Sequence, residues 1–268
     1  MPNHVKNILT ITGDKKQVRK FVDLITIKEK DTGSTCLSFN TLIPMPESLN
    51  IMSGGISDDC FRIYFKNLYK TNKEEYSRLK KIFEVYNTAQ VWNFKQMNLE
   101  ELSDEKESEK IDYIFKNYSK KKEGYFSTDP IIKTKEDIIE YGSKMAKNVE
   151  LYGCKDWYDW CNTNWSTKWD AYDQSYLYED KEGSKEAICV IKFNTAWAIP
   201  ENFYKKMFDI IHKENYNIEV KIDFADEDEG STMGTIVDMN TETGSFIGYI
   251  YDEDEDGREN FYEEVWGA

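Results

Sequence analysis

The densest chemistry in this 268-residue chain lies near its end. There Asp252-Glu-Asp-Glu-Asp-Gly257-Arg-Glu-Asn-Phe-Tyr-Glu263 matches the calcium-loop pattern D-x-D-x-D-G-x5-E. In that pattern Asp252, Asp254 and Asp256 supply oxygens, Gly257 allows the sharp turn, and Glu263 closes the coordination sphere with both oxygens. Two features count against it. The preceding residues alternate like a strand rather than a helix, and Glu259 stands where an apolar residue usually packs. So acidic a segment also meets the pattern easily by accident. Ca²⁺ is the one cofactor the sequence raises; otherwise none is expected.

The same carboxylates support a second chemistry, recognition by charge. From Glu219 to Ala268 there are sixteen acids against Lys221 and Arg258, which accounts for −14 of a net charge of −15. Phosphate contacts need Lys and Arg, so this end is not expected to bind nucleic acid directly. Asp223, Asp226, Glu227, Asp228 and Glu229 close one predicted strand, and Asp252, Asp254 and Asp256 close another. If the two ends meet, they form one negative edge able to compete for a protein's basic nucleic-acid-binding surface. A purely solubilising acidic face is the plainer alternative.

A third group is aromatic. Trp157, Trp160, Trp165 and Trp169 fall close together, and Trp197 follows on a later strand edge. With Asn40, Asn164 and Lys168, and beside Asn3 and Asn7, the residues Trp165, Trp169 and Trp197 have the composition of a ligand pocket: large apolar walls with a few polar groups. The same residues also suit a structural role, with tryptophans sealing packed elements and asparagines satisfying turns.

Catalysis has little to work with. His4 and His212 are the only imidazoles, and no nucleophile-elbow, Walker or dinucleotide-binding glycine pattern is present. The chain is read as a non-enzyme. Its five cysteines include no Cys-x-x-Cys pair, which suits buried free thiols in a reducing compartment. No apolar run approaches bilayer length, and the first residues lack a signal-peptide pattern, so the expected location is the cytoplasm.

The elements that must position these groups follow from periodicity. Residues 4–12 alternate as a strand, and Asp14 caps a helix carrying Val18, Phe21, Val22 and Ile25 on one face. Residues 36–43 read as a strand stopped by Pro44 and Pro46. The middle is largely helical: 58–70, then 71–86 behind a Thr71/Glu74 capping pattern, a charged stretch over 98–123, and a helix from Thr134/Asp137 to Gly153. Residues 187–194 read as a central strand, Pro200 opens a helix, and 218–225, 232–239 and 245–251 read as strands, the last two forming a hairpin through 240–244. The expected fold is α+β: a ferredoxin-like antiparallel sheet (1–47 plus 186–268), a mainly helical insertion (48–185) and an added acidic C-terminal hairpin.

Four stretches carry a resemblance: Met1-Pro-Asn-His-Val-Lys-Asn with Leu9 and Gly13; Leu37 to Pro46; Trp160-Cys-Asn-Thr-Asn-Trp-Ser-Thr-Lys-Trp-Asp-Ala171; and Phe193-Asn-Thr-Ala-Trp-Ala-Ile-Pro200. Together they resemble the YubB-type ferredoxin-like family of plasmid and phage proteins, which has no established activity. The family typically has Trp at His4 and Gly at Ser166, and this chain departs at both. The resemblance implies the sheet fold and a mobile-element origin, and it carries no catalytic residue. With the acidic edge, it makes the expected role inhibition of a host defence complex, of the nuclease or CRISPR type, inside a bacterial cell. A small-ligand or Ca²⁺-binding module is the alternative.

Overall fold

The computed structural model describes residues 3–86, 104–118, 132–180, 182–228, 232–251 and 256–267. The architecture is α+β, and the chain divides into two units: Met1–Pro44 with Cys161–Ala268, and Met45–Trp160.

The first unit is built on β1 (His4–Asp14), whose Val5, Leu9 and Ile11 are buried on one face. Asp14 Oδ1 accepts the Lys16 and Gln17 amides and starts α1 (Lys15–Ile25). A short ribbon follows, β2 (Thr26–Lys28) with β3 (Thr35–Leu37). Later come β4 (Tyr172–Asp180), β5 (Glu186–Ala196), α7 (Glu201–Lys213), β6 (Ile218–Asp226), β7 (Met233–Met239), β8 (Phe246–Ile250) and α8 (Arg258–Trp266). Six strands form one antiparallel sheet in the order β4-β5-β1-β6-β7-β8. Within this sheet α1 and α7 cover the Val5–Leu9–Ile11 face, where Tyr204 of α7 donates its hydroxyl to Asn7 Oδ1 at 2.8 Å. Asn7 Nδ2 donates to the Val5 carbonyl and to Thr195 Oγ1, so this fully buried amide is satisfied and belongs to the core rather than to a pocket.

Three segments differ from the periodicity reading. Over 36–43 only the first two residues are strand; Phe39–Thr41 is a 3₁₀ turn. The Gln174 side chain occupies the position a neighbouring strand would take, accepting from Leu37 N and donating to Leu37 O, while Asp170 accepts Phe39 N and Ser38 Oγ. The edge position on that side goes to β4, whose half-buried Tyr172, Gln174, Tyr176 and Tyr178 alternate with exposed Asp173, Ser175, Leu177 and Glu179. Residues 161–185, assigned from sequence to the insertion, group with the sheet. At the far end α8 is a helix where periodicity predicts no element.

The second unit packs α2 (Gly55–Thr71), α3 (Lys73–Tyr86), α4 (Asp104–Tyr118) and α5 (Lys135–Tyr152) around Phe61, Ile63, Phe65, Tyr141 and Met145. The Thr134/Asp137 capping box forms with both reciprocal bonds, and Gly153 ends α5 in the left-handed conformation. Asn72 rather than Thr71 caps α3, accepting from Glu75 N. The remainder of the 98–123 stretch outside α4 lies outside the described residues. α6 (Trp157–Asn164) carries the chain from this unit into the other.

The close approach of α2 and α5 depends on Gly142: a Cβ there would stand 2.4 Å from Tyr64 Cβ and 2.6 Å from the Cys60 carbonyl oxygen. Gly→Ala in an exposed helix gains roughly 1 kcal/mol of propensity. At this site overpacking reverses the sign, and Gly142→Ala is expected to lower stability by about 1–3 kcal/mol in urea denaturation. An unchanged or raised midpoint would show that the two helices are not held at this spacing.

Candidate functional site

The structure separates the tryptophans that the sequence grouped. Trp157 and Trp160 lie in the helical unit. Trp165 is a core residue: its Nε1 donates to the Ile43 carbonyl at 2.9 Å and its ring meets Phe39 edge-on. Asn164 is half-buried at the end of α6, and Asn40 donates to Asp170 Oδ2 as part of the carboxylate cap on the 38–41 turn. Lys168, Trp169 and Trp197 are brought together. Lys168 Nζ lies 4.4 Å from the Trp169 ring centroid and 4.7 Å from that of Trp197, so one ammonium contacts two indole faces. Trp169 also meets Tyr172 edge-on, and the Tyr172 hydroxyl bonds the Thr195 carbonyl and contacts His4 Nδ1. Burial, followed by the Asp173 carboxylate, pushes the Tyr172 phenol up to about 12.

The backbone around this clamp is strained. Among the described residues four non-glycines have positive φ, and three of them are here: Ser166 at 67°, Asp173 at 49° and Trp197 at 75°. For a bulky residue such as Trp this region is an outlier, stable only where neighbouring bonds over-determine it. They do so. Thr167 Oγ1 donates to the Ala196 carbonyl at 2.8 Å and accepts the Ala196 amide at 3.2 Å, and the Trp197 amide donates to the Asn3 carbonyl at 2.9 Å.

The acidic residues divide into internal and external groups. Asp223 Oδ1 accepts the Thr235 hydroxyl while Oδ2 pairs with Lys221; Asp226 is nearly buried, its Oδ1 accepting the Asp228 amide. Glu227 and Asp228 are exposed just past β6. Glu229, Asp252 and Asp254 lie outside the described residues. Asp256 is exposed before Gly257, which has φ 90°, and Glu263 is exposed on α8. Among the described residues no group of three or more His, Cys, Asp or Glu is placed to hold a metal.

What positions the external acids is α8. Trp266 Nε1 donates to the Asp226 carbonyl and the Tyr262 hydroxyl to the Glu227 carbonyl, so the helix grips two consecutive residues at the end of β6. Lys6 Nζ donates to the Trp266 carbonyl, and Ala225, Met233 and Val265 form a small core beneath, on the face opposite α1 and α7. The segment's two bases are engaged locally, Lys221 with Asp223 and Arg258 with the Tyr251 carbonyl. Glu227 and Asp228, just past β6, and Glu259, Glu263 and Glu264, on the helix bonded to that strand end, are all exposed.

Two further features were not read from sequence. His212 Nε2 contacts Asp238 Oδ1 at 2.7 Å beside a cleft of about 840 Å³, past the end of the β6–β7 pairing over Ile222–Ala225; the β7–β8 pairing shifts register between Ile236 and Asp238. The hydrogen bond of His212 is spent on Asp238, and no Ser, Thr or Cys is bonded to its ring among the described residues. The second is a buried ionic cluster in the helical unit, where Lys155 Nζ faces Asp156 at 2.6 Å, Asp58 at 3.4 Å and Asp159 at 3.7 Å. The i,i+4 spacing of Lys155 and Asp159 inside an aromatic-rich stretch was its available signal.

Fold and surface together define an α+β protein with an anchored acidic face and an aromatic–cation clamp. Comparisons with protein-family models, with curated proteins and with solved structures find no match. Among the described residues no helix is long and apolar enough to cross a membrane.

Proposed function

We propose that the chain is a non-enzymatic binding protein whose acidic face seats on a basic, nucleic-acid-binding surface of a protein partner. The observation that carries this reading is the attachment of α8 to the end of β6, which ties the helix bearing the exposed Glu259 and Glu263 to the strand end bearing the exposed Glu227 and Asp228. Fixed carboxylates lose little entropy on binding and steer encounter, whereas a loose acidic tail would have to be ordered. The strand order also supports a ferredoxin-like core: β6-β1-β5-β4 with α1 and α7 follows the β-α-β-β-α-β arrangement, with β7 and β8 added beside β6. That agrees with the resemblance to phage and plasmid proteins and extends the proposal to inhibition of a host defence complex by occupying its nucleic-acid channel. A small-ligand module is the second reading, favoured by the strained backbone around Trp197.

The test is a variant carrying Glu227→Gln, Asp228→Asn, Glu259→Gln and Glu263→Gln. The native protein should capture a nucleic-acid-binding protein at low salt, lose it at high salt and release it to duplex DNA. The variant should bind at least tenfold more weakly. Capture that survives both high salt and neutralisation would sink the reading.

A further inference from the structure

The clamp and the acidic face occupy the same end of the sheet. The first residues of β1 are gripped from both sides: the Trp197 amide donates to the Asn3 carbonyl, and the Glu227 amide donates to the His4 carbonyl at 2.8 Å. Trp197 follows β5 and Glu227 follows β6, the two strands that flank β1. Neighbouring strands lie about 4.8 Å apart, so the two backbones are separated by roughly 10 Å. That is slightly more than one Debye length at physiological salt, about 8 Å, so the charges of Glu227 and Asp228 reach a contact at Trp197 in weakened form and more strongly as salt is lowered.

Resting on the acidic-face reading, we propose that Trp197 and Trp169 form a cation clamp that receives an arginine side chain of the basic partner, and that Lys168 is its intramolecular placeholder. Three observations support this choice of occupant. The two indole faces already hold a cation, the Lys168 ammonium, which shows what chemistry their spacing accepts. Trp197 is 44% exposed although its conformation is strained and pinned by the bonds at Ala196 and Asn3, so the fold holds a large apolar ring in solvent rather than burying it. Exposed carboxylates lie close by: Asp173 follows Tyr172, which packs on Trp169, and Glu227 and Asp228 follow β6. An anionic ligand drawn to Lys168 would meet those carboxylates, whereas a cationic one is favoured by them. Arginine suits the clamp better than lysine, because its planar guanidinium stacks on an indole and is more weakly hydrated. Trp and Arg are also among the residues in which interface hot spots are enriched.

The experiment uses the full chain with fluorescence anisotropy of a labelled oligo-arginine peptide at fixed moderate salt. Trp197→Ala should weaken binding about tenfold, equivalent to one desolvated cation–π contact, and Trp197→Phe should recover most of the loss. Lys168→Met should tighten binding several-fold, and that gain should vanish in the Trp197→Ala background, because the placeholder then has no clamp to vacate. Circular dichroism confirms the fold of each variant, and Ala retains the Cβ whose backbone conformation is already strained. Unchanged affinity in Trp197→Ala overturns the clamp, as does a Lys168→Met gain that persists without Trp197, which would be a charge effect alone. Weaker binding in Lys168→Met also overturns it, by showing that the lysine builds the site rather than occupies it. The arm carrying Glu227→Gln with Asp228→Asn separates the two proposals. If that arm loses binding while Trp197→Ala does not, the clamp fails and the acidic face stands; if the native protein ignores the peptide, both fail.

Discussion

Replacing Lys155 by Met should destabilise the helical unit by about 3–5 kcal/mol at neutral pH, the cost of stripping the partner from buried charge. Lys155 is 3% exposed and Asp156 is fully buried, so neither retains water as a substitute. Burial opposes the lysine's charge, yet Asp156, Asp159 and Asp58 outweigh it and hold the ammonium above the ordinary lysine range. Removing the ammonium leaves Asp156, Asp159 and Asp58 facing one another, with only the weaker influence of Arg62 on Asp58 in its place. The loss spreads because the cluster joins three parts of the unit. Asp58 lies in the first turn of α2, Asp156 and Asp159 belong to the turn and start of α6, and Asn148 of α5 donates to both the Lys155 and Ser48 carbonyls. Urea denaturation with hydrogen exchange on α2 and α5 measures the effect. Lys155→Arg should restore part of it, and a loss below about 1 kcal/mol for Lys155→Met would show that the aspartates are satisfied without the lysine.

This cluster also marks where sequence stops being informative. Elements that present a single buried face were legible: β1, β5 and β6 alternate, α1 and α7 carry compact apolar stripes, and the Thr134/Asp137 box is a local signal that forms as written. β4 was missed because an edge strand half-covered by tyrosines and faced with Asp and Glu has no apolar alternation to detect. α8 was missed because Trp266 and Tyr262 hold it through hydrogen bonds to the backbone of β6, and neither its charge nor its weak stripe predicts a helix. The clamp was legible in residue type but not in membership. Asn164, Trp165 and Asn40 share the chemistry of Lys168, Trp169 and Trp197, yet only tertiary structure buries Trp165, spends the exposed Asn40 on Asp170 and leaves Asn164 half-buried at the end of α6. Local spacing likewise reveals Lys155 and Asp159 as a pair, but the third carboxylate, Asp58, comes from a helix nearly a hundred residues earlier.

Asp159 should make the same unit less stable as pH rises from acid to neutral, opposite to an ordinary salt-bridged aspartate. Burial first, then the neighbouring Asp156 carboxylate, pushes its carboxyl from the usual 3.8 up to about 7, and burial raises Asp58 in the same direction. The folded protein therefore keeps a proton that the unfolded chain releases. Its contribution is fully present below about pH 4 and is lost as pH climbs through 7, with a total on the order of 4 kcal/mol at about 1.4 kcal/mol per unit. Asp159→Asn removes the titration while leaving an oxygen for the Lys155 amide, which now donates to Asp159 Oδ2. Near pH 8 the variant should therefore be more stable than the native chain by a few kcal/mol, with the difference shrinking toward pH 4. Denaturation midpoints of the helical unit across that range decide the matter. A native profile that rises between pH 4 and 7, or an Asp159→Asn variant that follows the native slope, would place the titrating proton elsewhere.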